Sequence, residues 1–203
     1  MHPSEAHYSP AQKALHWTIA VLIVGFMVPA GISMANLLGE GPFTNALYEL
    51  HKSFGLTIFT LALVRIVVRW RRGAPPLVPG LPGWQRAAAY GSHYAMYILI
   101  VLVPLSGWTA TSACCAPVNL FWTIPVTLPI EGGMDAAKPI FRIHDTLALT
   151  LTAIVLVHAA AALYHHFVRR DHTLIRMWPG RAPGETTAPS PVVPGPRGGA
   201  RNL

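Results

Sequence analysis

Four long apolar stretches alternate with short polar connections along the chain, at about residues 14–38, 54–68, 87–113 and 140–168. Each approaches or exceeds the roughly 20 residues that carry a helix across a hydrocarbon core. The second is the shortest and needs residues 47–52 and 65–70 as interfacial ends. The pattern predicts an all-α fold, a four-helix bundle integral to a membrane. Ser9-Pro10 predicts the start of the first helix, an N-cap followed by a proline in the first turn. Gly and Pro at 39–42 break the first hairpin, and the proline-rich segment 73–83 forms the second connection. Residues 115–139 are rich in Pro, Trp and Gly and predict a cap outside the membrane. Within the third stretch, Pro104 predicts a kink and Gly107 a close helix contact. The first apolar run begins after a polar start and is too long for a cleavable leader. The expected organisation is an arm at 1–8, one membrane domain at 9–178 and a disordered tail at 179–203, with no internal repeat.

Composition places the chain in the bilayer, since 52% of its 203 residues are hydrophobic and 11% are charged. Charge then orients it. Lys13, Arg69, Arg71, Arg72, Arg86, Arg169, Arg170, Arg176 and Arg181 flank one side of the four stretches, which the positive-inside bias assigns to the cytoplasm together with both termini. The opposite loops carry Glu40, Glu49, Glu131 and Asp135 against Lys52, Lys138 and Arg142, and should face the periplasm. The net charge of +7 thus reports topology and attraction to anionic lipid. It does not point to nucleic acid, because no basic helix or aromatic-interleaved motif accompanies it. Cys114 and Cys115 are adjacent, offering neither metal-ligand spacing nor a disulfide framework, and are expected to be small apolar residues at the interface.

His16, His51, His144 and His158 lie within or at the edge of these apolar stretches, where an ionisable side chain is costly and signals function. His144 and His158 are 14 residues apart on one stretch, close to four helical turns, so they share a face about 21 Å apart in rise. The first helix runs outward and the second and fourth run inward. His51 and His144 therefore fall near the outer side, and His16 and His158 deeper toward the cytoplasm. Neutral imidazole ligates iron without carrying charge into the bilayer, whereas a four-histidine zinc site would need all four at one depth. Two layers of paired histidines predict two haems. With both axial positions filled, the expected work is outer-sphere electron transfer. His93 lies at a depth similar to His16, and His165 two turns beyond His158 on nearly the same face, so both remain ligand candidates on these grounds. Arg65 and Arg69 are four residues apart and suit haem propionates. His166 and His172 are expected at the interface, and His2 and His7 in the soluble arm.

These residues resemble the bacterial di-haem cytochrome b-561 family. The likeness runs from about Tyr8 to Met177 through Leu15-His16-Trp17, Leu50-His51-Lys52-Ser53-Phe54-Gly55, Val64-Arg65 to Arg69, and Pro75-Pro76. It continues in His144-Asp145-Thr146-Leu147-Ala148, in His158-Ala159-Ala160-Ala161-Ala162-Leu163 with His165-His166, and in the segment from Asp171. The resemblance implies a bacterial inner-membrane protein that oxidises superoxide and reduces a membrane ubiquinone through two haem b groups. It implies ligation of the outer haem by His51 and His144 and of the inner haem by His16 and His158. His93 becomes a residue beside the inner haem or its propionates, and His165 a quinone-site candidate. Lys52, Lys138 and Arg142 are expected to steer superoxide to the outer haem. The alternative is a membrane anchor, as in cytochrome b subunits that relay electrons from a partner hydrogenase or dehydrogenase to the quinone pool. The vicinal cysteines and the Pro/Gly tail have no counterpart in the resemblance.

Overall fold

A computed structural model describes residues 8–36, 39, 41–115 and 117–179. His2 and His7, Glu40, most of the predicted arm and nearly all of the predicted tail lie outside the described residues. The first span joins α1 (Pro10–Leu22), a π-helical turn (Ile23–Met27) and α2 (Val28–Asn36). Ser9 caps α1 as its sequence predicts: its hydroxyl accepts the Gln12 N–H, and the Gln12 side chain accepts the Ser9 N–H at 3.0 Å. The π turn ends two residues before Pro29, which has no N–H to offer the Gly25 carbonyl and whose ring crowds that turn.

The other three spans are α3 (Pro42–Arg72), α4 (Gly83–Cys114) and α5 (Gly133–Tyr164), the last continued by a π-helical turn (His165–Arg169). All four are long and apolar enough to cross a membrane. α3, with 31 residues, takes in both interfacial ends that the short second apolar stretch needs. One expectation is corrected: α5 begins at Gly133, so the connection after α4 ends well before Pro139. Both helices start in polar sequence because hydropathy marks what lies in hydrocarbon, not where backbone hydrogen bonding begins. The shortened connection holds a feature without a sequence signal, an antiparallel hairpin of β1 (Val118–Leu120) and β2 (Ile124–Val126) with Leu120 opposite Ile124.

α1 packs on α3, α3 on α4 and, most extensively, α4 on α5. A small core of Ile19, Ile23 and Ile58 is bordered by Leu22, Met27, Leu61 and Ile100. Large apolar side chains such as Val21, Leu149 and Val157 point outward, as lipid-facing positions must. Beyond α5 the chain reverses at Arg170, in the left-handed region, and forms a short 3-10 helix (Ile175–Met177). This segment is docked: the Trp17 indole N–H donates to the Met177 carbonyl at 2.7 Å, and buried Arg176 donates to the Pro76 carbonyl at 2.6 Å.

Candidate functional site

The rotational phase of the helices brings the histidines together at two levels. At the hairpin end, His51 of α3 and His144 of α5 face each other with ring centroids 6.2 Å apart and ring planes 77° apart. At the arginine-rich end, His16 of α1 and His158 of α5 stand 6.3 Å apart at 73°. These are the two cross-helix pairs that depth alone predicts. All four side chains are half-buried.

The hairpin-end pair is built from α4. His144 Nδ1 lies 2.9 Å from the Val103 carbonyl and 3.4 Å from the Ser106 hydroxyl, which fixes the ring and leaves its other nitrogen free of the helix. Gly107 makes room: a Cβ there would lie 2.9 Å from His144 Cε1 and 3.0 Å from Nδ1. The close contact predicted at Gly107 is thus with an imidazole. On the partner side, His51 Nδ1 is buried without a hydrogen bond among the described residues.

The hairpin closes this end. Buried Ser53, two residues after His51, accepts the Phe121 N–H at 2.8 Å, and the Phe54 and Phe121 rings meet edge to face. Phe121 and Trp122 both take positive φ, 46° and 62°, an unfavourable choice for large side chains that the flanking ladder and the Ser53 bond hold in place. Trp108 donates to the Val126 carbonyl at 3.0 Å and Ser112 accepts from Leu128 N–H at 3.1 Å, tying the hairpin and the chain after it to α4.

The second level holds a third ring, His93 of α4, 5.2 Å from His158. Arg65 donates to the Gln12 carbonyl at 3.0 Å, stacks over Tyr97 at 5.9 Å, and acts electrostatically on His16, His93 and His158. Arg69 stacks over Tyr8. Just beyond, His165 Nδ1 contacts the Asp171 carboxylate at 2.5 Å, and Thr173 donates its N–H to the same carboxylate at 2.9 Å. Arg169 lies 3.5 Å from Asp171 and donates to the Gln85 side chain at 3.0 Å. Burial alone would raise the Asp171 carboxyl, but hydrogen bonds from Thr173 and His165 outweigh it and hold the group below its ordinary value. Sequence reasoning gave no role to Asp171, Gln12 or Ser53 in the site. Gly107, a glycine inside an apolar helix, did carry a signal, although not the identity of its partner.

Of the three expected steering cations, Lys52 is paired with Glu49 one turn before it. Lys138 and Arg142, one helical turn apart on α5, are exposed, with no carboxylate partner among the described residues. Contrary to expectation, Cys114 and Cys115 are joined by a disulfide at the end of α4. Spacing arguments miss it because they weigh frameworks that link distant segments.

The ring pairs suit a metal held from two sides. A metal–imidazole bond of about 2 Å on each face, plus half a ring on either side, gives the ring separation observed at both levels. No cluster of three or more His, Cys, Asp or Glu side chains poised for a metal occurs among the described residues. The unsatisfied His51 nitrogen and the Gly107 niche fit a haem iron with one histidine on each face.

Comparison with known proteins agrees. A family model described as prokaryotic cytochrome b561 matches residues 7–180. Cytochrome b561 homolog 1 of Escherichia coli (strain K12) is 31% identical over 175 residues, covering 86% of this chain and 98% of that protein. Cytochrome b561 homolog 2 of the same organism is 32% identical over 176 residues, covering 84% and 90%. A protein of Yersinia pestis named "Probable superoxide oxidase CybB" is 28% identical over 174 residues, covering 85% and 96%.

Proposed function

The chain belongs to the prokaryotic cytochrome b561 family, and from that premise we propose that it moves electrons across the bacterial inner membrane from superoxide to ubiquinone. The family's haem b, and its place as a multi-pass electron-transfer protein of that membrane, are the foundation. The observation that carries the reading is the pair of facing imidazoles at each end of one bundle. Arginines crowd the His16 and His158 end, which orients that end to the cytoplasm and the hairpin to the periplasm.

His51 and His144 would hold one haem and His16 and His158 the other. Haem b supplies a one-electron carrier at each pair. With His51 and His144 both engaged, a haem held there would work by outer-sphere electron transfer. Exposed Lys138 and Arg142 raise the local concentration of the superoxide anion there, with Lys52 contributing less because Glu49 offsets it. The hairpin is docked at the end of the outer pair through Ser53 and Trp108. At the inner side, Arg65 and Arg69 would meet propionate carboxylates, and His93 packs beside His158. His165, held by its contact with Asp171, would line the place where quinone is reduced. Two superoxide anions lose one electron each to become dioxygen, and the quinone gains two electrons and two protons to become quinol.

The test is stopped-flow spectroscopy of the purified, oxidised protein mixed with superoxide, with and without a soluble quinone. Growth of the reduced haem b band and its discharge by quinone is the expected result. A haem spectrum that stays oxidised would refute the superoxide reaction and favour a relay fed by a separate redox subunit.

A further inference from the structure

The α4 and α5 helices run antiparallel, so the last residues of one meet the first turn of the other. Three sulfur atoms collect at that corner. Cys114 ends α4 and is bonded to Cys115, and Cys115 Sγ lies 3.9 Å from the thioether of Met134, the second residue of α5. Cys115 is exposed and Met134 is half exposed, so the corner is open to solvent and to another thiol. Glu131 and Asp135 flank Met134 and give the rim a negative charge, with Lys138 a turn further along α5. An open cavity of about 520 Å³ lined by Ser112 and residues 127–131 lies beside the end of α4.

We propose that Cys114, Cys115 and Met134 form a soft-metal site for Cu(I) that thiol–disulfide exchange opens and closes. Thiolate and thioether donors together select Cu(I) over harder cations. While the disulfide stands, its sulfurs have no thiolate charge to offer. A dithiol donor opens the site: its two thiols become a disulfide, the Cys114–Cys115 bond breaks, and the two electrons and two protons pass to the two cysteine sulfurs. Cu(I) then displaces both protons, and Met134 adds a neutral lone pair as third ligand. The short tether between the cysteines keeps both thiolates at the corner, and the exposed Met134 needs only side-chain rotation to follow. The site lies apart from the histidine pairs and stands or falls independently of the quinone reaction.

The haem-loaded protein in detergent is compared before and after reduction by a dithiol and removal of the reductant without oxygen. Each sample is equilibrated with Cu(I) buffered by a competing chelator, desalted and assayed for copper. One equivalent retained by the reduced protein and none by the oxidised protein is expected. Cys114→Ser with Cys115→Ser should abolish retention, and Met134→Leu should weaken it by about tenfold. X-ray absorption of the copper-loaded form should show a sulfur-only shell that loses one sulfur in Met134→Leu. Equal copper in oxidised and reduced wild-type protein, or retention unaffected by the double substitution, would overturn the proposal. An unchanged sulfur shell in Met134→Leu would equally refute the three-sulfur site.

Discussion

Replacing Gly107 with alanine tests whether the outer histidine pair depends on a niche in α4. In an ordinary helix this change stabilises by about 0.5–1 kcal/mol, because alanine gives up less backbone freedom on folding. Here the new methyl would stand 2.9 Å from His144 Cε1 and 3.0 Å from Nδ1, against a comfortable carbon separation of about 3.5–4.0 Å. The ring must move by roughly half an ångström or more, yet Nδ1 is hydrogen-bonded to Val103 on the same face of α4. Overpacking of this kind costs about 1–3 kcal/mol, so the propensity gain is overturned. Gly91, on the same helix with nothing within 4 Å of where a methyl would stand, is the control and should gain or hold stability. Haem content by pyridine haemochrome, electron paramagnetic resonance and thermal unfolding are read on both variants. Gly107→Ala should lose or perturb one of two haem signals and unfold at lower temperature, while Gly91→Ala matches the parent. Two unperturbed haem signals in Gly107→Ala would refute the argument that the niche positions His144.

Among the inner rings, His16→Ala should leave one haem per chain and His93→Phe should leave two, measured by haem-to-protein ratio; the reverse would reassign the inner ligand. Arg142→Ala with Lys138→Ala should slow the superoxide reaction by up to about tenfold at low ionic strength and flatten its salt dependence, whereas Lys52→Ala should do less because Glu49 already offsets that charge. Asp171, held below its ordinary value of 3.8, contributes stability that is complete above that pH and drains away as pH falls through the lower folded value. The unfolding temperatures of wild type and Asp171→Asn should therefore differ by a constant amount near neutral pH and converge in acid. A difference that persists unchanged in strong acid, well below that ordinary value, would show that the carboxylate is not the source.

The run lengths of apolar residues were enough to set four spans, and the spacing of His144 and His158 with alternating helix direction was enough to sort four histidines into two levels. Such features are one-dimensional, fixed by hydrocarbon thickness and the helical repeat. The family likeness added roles to them. What only tertiary structure decided are contacts between residues far apart in sequence, where the rotation of one helix against another selects the partners. Gly107 became the niche of His144, His93 came against His158, and Gln12 came under Arg65 by this route. The hairpin over His51 carries no turn glycine or alternating pattern, and it is held by Ser53 on another helix. The extent of α3 and α5 beyond their apolar cores was hidden for a related reason, since a helix satisfies its own backbone in water as well as in lipid. The chain itself encodes the depth of each histidine; packing decides which atoms each one faces.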